Sequence, residues 1–215
     1  MGHFEQGTST SAPPLALFQT TEPQASAFSF ADALITSRQN ISPRRLVEPG
    51  PNASQLDQIF RGAASAPDHG LIKPWRFVTV PLDKRALLAE VFALALVERD
   101  PGATPEQIET AREKAHRAPV LMLVVARLGA CEPPIPTLER MMSVGAAVQN
   151  MLLMAHGLGF GSSLTSGQAM QSPGMRRLFG LTDGEEAVCF LNIGTISKRK
   201  TQRLHPEASS FVSTL

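Results

Sequence analysis

Two kinds of apolar pattern alternate along the chain. One is nearly continuous. APVLMLVVARL over 118–128 and AVCFLNIGTI over 187–196 are apolar at almost every position. Such runs predict strands buried on both faces. RFVTV over 76–80 predicts a further strand, and GFGSSLTSG a short strand with a turn. The other pattern has helical spacing. Phe30, Leu34 and Ile35 share one face of a helix running from about Phe28 to Arg38. Leu56, Ile59, Phe60 and Ala63 line a second helix, opened by Asn52 or Ser54 and stopped by Pro67. DKRALLAEVFALALVERD is expected to be a helix capped by Asp83. TPEQIETAREKAHRA is expected to follow as a helix capped by Thr104, with Pro105 in its first turn. From Thr137 to about Gly157 apolar residues lie nearly all round the helix, which predicts a central position or burial against another subunit. SPGMRRLFG predicts a short helix capped by Ser172. Between the first two helices, Pro43, Pro49 and Pro51 exclude a long helix, so that stretch is expected to be extended or irregular.

Helices interleaved with strands buried on both faces predict an α/β (α+β) fold, a three-layer α/β/α sandwich. The expected domain spans 28–215. Residues 1–27, rich in Ser, Thr, Pro, Ala and Gln, bury little and are expected to form a disordered tail.

Composition narrows the partners more than the fold. The 215 residues are 43% hydrophobic and 18% charged, with 20 basic and 19 acidic side chains and a net charge of +1. That balance argues against nucleic acid or a membrane surface as a partner. There is no signal-peptide pattern and no apolar run long enough to span a bilayer, so a cytoplasmic location is expected. Cys131 and Cys189 make neither a disulfide scaffold nor a four-ligand zinc site. Cys189 sits in an apolar run and reads as a small core residue, and both thiols are expected to be reduced.

No standard catalytic motif stands out. GxGxxG after a strand, GxxxxGK[ST] and GxSxG are all missing, and GLGFG (157–161) reads as a helix C-cap and turn. His116 and His156 fall inside helices without partners and read as structural. Three polar segments remain. SRQN puts Arg38, Gln39 and Asn40 at a helix end, where Arg38 either holds a phosphate or is a solvated helix terminus. GTISKRK puts Lys198, Arg199 and Lys200 just after a buried strand, either an anion site or a charged strand exit. APDHGLIKPWRF (66–77) leads into a strand through two prolines and the only Trp. There His69 is either a donor to a ligand or a solvent-facing loop residue, and Trp75 is either a core anchor or the wall of an aromatic pocket.

Together SRQNISPRRLVEP, AASAPDHGLIKPWRFVTV, MSVGAAVQNMLLMAHGLGFGSSLTSG and FLNIGTISKR resemble the FMN-dependent nitroreductase family, in the order and spacing of its minimal-size subgroup. The resemblance covers roughly residues 30–215. It implies a nitroreductase-like homodimer with a central mixed sheet, exchanged C-terminal arms (here Phe211–Leu215) and FMN at the interface. It implies an enzyme that takes hydride from NADH or NADPH and passes electrons to a small-molecule acceptor such as a nitroaromatic or quinone, with the chemistry on FMN. Arg38, Gln39 and Asn40 would hold the phosphate and ribityl chain. Ser65 and His69 would approach the flavin from the partner chain. Leu164, Thr165 and Ser166 would lie along the ring, and Arg199, with Lys198 as rival, would complete the phosphate site. The family's second Arg and its Ser are Gln39 and Asn40 here. Its Asn and Gln in the loop are Leu71 and Lys73, and its aromatic-Arg pair before Ser-Gly is Leu164-Thr165.

Overall fold

The computed structural model describes residues 22–201 and 204–215, with side chains from residue 26. The chain divides into two compact units at Thr36/Ser37. Of the first unit only helix α1 (Glu22–Ser37) is described. It starts six residues ahead of the expected Phe28, and most of the expected tail lies outside the described residues.

In the second unit the elements follow in the order β1 (Leu46–Val47), α2 (Ala53–Ala64), β2 (Trp75–Thr79), α3 (Arg85–Arg99), α4 (Pro105–Glu113), β3 (Val120–Arg127), α5 (Thr137–Gly157), β4 (Gly161–Thr165), α6 (Pro173–Phe179) and β5 (Glu185–Ile196). Their ends follow local chemistry. Asn52 and Thr104 each close a reciprocal capping box with the Gln three residues on, and the Ser172 side chain accepts from Met175 N. Asp83 does not cap α3. It sits in a 3-10 turn, Leu82–Lys84, that leads into the helix. After α5, Gly159 (φ +88°) takes the left-handed conformation that reverses the chain into β4, the role expected of the GLGFG turn.

The sheet runs β1-β5-β3-β2, with β4 also on β5. All four ladders are antiparallel, and a single parallel bridge between Asn40 and Ser162 makes the sheet mixed. Helices cover both faces. Ile59 and Ala63 of α2 and Val144, Ala147 and Met151 of α5 pack on Met122, Val124 and Leu191. On the other face Leu88 of α3 and Met175 of α6 pack on Leu123, Val125 and Phe190. This is the three-layer sandwich expected. The two faces stay in phase through an irregularity in the β3–β5 register at Val124/Val125. Val124 pairs with Cys189 and Val125 with Ala187, which leaves Val188 as the extra residue. Ala187 therefore shares a face with Phe190, while Val188 and Cys189 face α2 and α5. Burial pushes the Cys189 thiol up to about 11, consistent with a core residue.

The rigid entry to β2 has a structural purpose. Trp75 packs against the α2–α5 side of the core. Arg76 grips Glu185 in a fork, with Nε to Oε1 at 3.0 Å and Nη2 to Oε2 at 2.8 Å. The Arg76 hydrogen bonds, helped by Thr182 N, hold the Glu185 carboxyl down at about 2. A depressed folded-state pKa stabilises fully above the ordinary carboxylate value, and that stability is lost as pH falls through 2. A shift of this size corresponds to about 3 kcal/mol. Glu185→Gln is therefore expected to flatten the acid limb of the stability curve between about pH 4.5 and 2. Urea unfolding across that range checks this, and an unchanged slope would show that the fork contributes nothing.

Candidate functional site

Strand β4 organises the site. Its first residue, Gly161, leaves little room for a side chain, because a Cβ there would lie 2.6 Å from Ile196 Cγ1 and 2.8 Å from Leu46 Cδ2 and these side chains would have to shift. Beside that end, Ile41 N donates to Ser162 O at 3.0 Å and draws the SRQN segment against the strand. The result is a narrow cleft lined by Arg38, Gln39, His156, Ser162 and Arg199. Two basic segments separated by 160 residues of sequence thus meet. Gln39 Nε2 donates to Lys200 O at 3.3 Å, which ties them together.

Among the described residues, no carboxylate lines the cleft. Arg38 Nε and Gln39 Oε1 are buried without a hydrogen-bond partner, a costly state for both atoms. His156 Nε2 lies 2.8 Å from Ser37 Oγ. Burial lowers the His156 pKa, and the nearby charges of Arg199 and Arg38 lower it further. The imidazole is thus held toward its neutral form beside two guanidinium groups. Reading His156 as a purely structural helix residue missed this placement. It closes the last turn of α5 and has no sequence neighbour that signals a ligand.

At the far end of β4 the turn Thr165–Ser166–Gly167 borders a cavity of about 610 Å3. Strands rise about 3.3 Å per residue, so the two ends of β4 lie about 13 Å apart. Phe92, Leu121 and Phe190 supply apolar lining, and Arg99, Lys114 and Arg117 line another side. None of these three cations stands out in the sequence, where they lie within or beside predicted helices. Asn192 is buried in the sheet and donates to Thr165 Oγ1 at 3.0 Å and Ser163 O at 3.3 Å, which fixes the turn.

The other expected residues lie elsewhere. Asn40 is exposed and bridges to Ser162. Leu164 is exposed and lines neither cleft nor cavity, and Lys198 is exposed outside the cleft. Ser65 ends α2, donates to Arg61 O at 3.1 Å and is exposed. His69 is exposed too, and its Nδ1 lies 2.7 Å from Glu139 Oε2 at the start of α5. Neither lines the cleft or the cavity. The loop between them and Trp75 is strained. Leu71 (φ +52°) and Lys73 (φ +47°) take left-handed conformations that non-glycine residues rarely adopt. Asp68 holds them there, accepting from Leu71 N at its carbonyl and from Lys73 N at Oδ2.

Fold and cleft define an α+β protein with a cationic notch at one end of a strand and a cavity of about 610 Å3 at the other. The profile of the nitroreductase family matches residues 38–195. The chain belongs to that family. It is 33% identical over 185 residues to the Escherichia coli protein provisionally named NAD(P)H nitroreductase YdjA, covering 85% of this chain and 98% of the relative. Among solved structures, a nitroreductase-like family protein from Bacillus cereus superposes with a TM-score of 0.73 at 19% identity, covering 85% of this chain and 94% of that one. An FMN-dependent nitroreductase from Clostridium difficile superposes with a TM-score of 0.57 at 16% identity, covering 83% and 93%.

Proposed function

We propose that the protein is a cytoplasmic, homodimeric FMN-dependent oxidoreductase that draws on NADH or NADPH and reduces a nitroaromatic, quinone or similar small acceptor. The observation that carries this reading is the meeting of Arg38, Gln39 and Arg199 in one cleft at the start of β4. Two buried polar atoms support this reading. Arg38 Nε lacks an acceptor and Gln39 Oε1 lacks a donor, which a phosphate oxygen and a ribityl hydroxyl would supply. Arg199 would add the second cation. The turn at Thr165 and Ser166 would lie against the ring, in a cavity within the usual size range for a small-molecule site.

FMN, when bound, supplies hydride acceptance and electron transfer. The chain's own task is to hold, orient and shield, so no side chain is assigned as nucleophile or metal ligand. Donor and acceptor would use one opening in turn, a ping-pong cycle. The provisional name of the E. coli relative favours NAD(P)H as the donor. Exposed Phe211, Val212 and Leu215 at the C-terminus suit an arm that reaches a partner chain, and exposed Ser65 and His69 suit a loop offered to the partner's flavin. Rapid mixing of the FMN-loaded protein with NADH and with NADPH tests the reading. Bleaching of the flavin absorbance by at least one donor is expected. A flavin that stays oxidised with both would make this a binding protein rather than an oxidoreductase.

A further inference from the structure

Three cations and two carboxylates line the cavity beyond β4. Arg99 ends α3, while Lys114 and Arg117 follow α4, and all three line the cavity that the Thr165–Gly167 turn also borders. Apolar groups line it as well, among them Ala95, Leu96 and Phe92, with the buried Phe190 ring edge to face behind Phe92 at 5.6 Å. A flat apolar molecule would therefore find a surface to lie on, and a charged group on it would find cations.

Carboxylates nearby neutralise these cations only in part. Asp100 and Glu106 also line the cavity. Asp100 Oδ1 accepts from Gly102 N at 3.1 Å. The Glu106 carboxyl is held low by the Thr104 side chain and by its own backbone N–H at the start of α4. Glu113 approaches Arg117 at 3.7 Å, and Arg117 Nη2 also donates to Thr110 O. Among the described residues, Arg99 and Lys114 form no ion pair. Burial lowers the Lys114 pKa, and Arg117 and Arg99 lower it further. Arg117 is lowered by burial and then by Arg44. Like charges crowded beside an apolar surface repel one another until an anion arrives.

We propose that Arg99, Lys114 and Arg117 form an oxyanion subsite that selects the acceptor, a planar and largely apolar molecule bearing a carboxylate or a like oxyanion. Its assignment to the acceptor rests on the flavin reading above, whereas the anion subsite itself does not. A phosphate of the nicotinamide donor has the same chemistry, so the test separates the two sources.

The probes are benzoate and its neutral analogue benzyl alcohol, titrated calorimetrically into the oxidised FMN-loaded protein, together with KM values for NADPH and NADH. Benzoate is expected to bind more tightly than benzyl alcohol. Arg99→Gln and Lys114→Met, both at exposed positions, should each weaken benzoate by about tenfold while leaving benzyl alcohol unmoved. Equal binding of the two probes to the wild-type protein overturns the proposal. So does loss of FMN, rather than of benzoate discrimination, in both variants, because the cations would then serve the flavin. A rise in KM for NADPH alone, with benzoate discrimination intact, overturns the acceptor assignment in favour of the donor. Failure of the protein to bind FMN at all would defeat the flavin reading, and benzoate titration of the flavin-free protein would still decide the subsite.

Discussion

Arg85→Met is expected to destabilise the protein by about 4 kcal/mol or more. Arg85 is an arginine in the core, only 1% exposed. Its guanidinium donates to four carbonyls: Val80 O at 3.2 Å, Ala115 O at 3.0 Å, Ala118 O at 2.7 Å and Pro119 O at 2.9 Å. Those carbonyls belong to the end of β2, the turn after α4 and the entry to β3, where the backbone leaves regular structure and has no ladder to bond. Burial lowers the Arg85 pKa, and the charge of Glu48 offsets part of that effect. Methionine roughly fills the space but donates nothing. Each buried carbonyl left unpaired costs about 1–3 kcal/mol. Four of them take a large share of a total stability of about 5–15 kcal/mol. Urea unfolding of the variant measures the loss. A loss below about 1 kcal/mol would mean that water reaches these carbonyls and that Arg85 is not the fastener of this junction.

Arg38→Ala is expected to weaken FMN binding by about 1.5–3 kcal/mol, roughly tenfold to a hundredfold, the range for a hydrogen bond to a charged group. Arg199 is the more exposed of the pair, and Arg199→Ala should weaken binding less. The two cations would act on one phosphate, so the double variant should depart from the sum of the singles. Equilibrium dialysis against FMN measures all three. Unchanged affinity in Arg38→Ala would remove that residue from the site and leave its buried Nε unexplained.

Much of the fold was legible because its signals are local. The bounds of α5, Thr137–Gly157, follow from an apolar stretch flanked by Pro136 and a glycine turn. The caps at Asn52, Thr104 and Ser172 are set by residues three positions apart. Unbroken apolar runs marked β3 and β5 as buried on both faces. What stayed hidden depends on distant partners. Strand β1 is two residues long, too short for any period, and exists only because Thr195 and Ile196 pair with it. The extra residue at Val188 is visible only against β3. Buried Arg85 and Arg140 look like surface charges until the carbonyls they serve are placed around them. Arg140 donates to the carbonyls of Arg127, Leu128 and Gly129.

The same division runs through the site. Arg38 and Arg199 could each be singled out by position, at a helix end and after a buried strand. Their meeting requires the packing of Ile41 against β4, which no spacing encodes. His156 joins them from a third element, and Arg99, Lys114 and Arg117 come together from the ends of two helices that the sequence does not place side by side. Leu71 and Lys73 occupy left-handed backbone positions that Asn tolerates better than either. Their strain is consistent with a loop whose shape is held by Asp68 and His69 rather than by its own preferences.

The most direct test of the central claim is the absorption spectrum of the purified protein, before and after addition of FMN. A bound flavin is expected, with a band at roughly 450 nm that is perturbed relative to free FMN. A protein that purifies without flavin and leaves the spectrum of added FMN unchanged would contradict it.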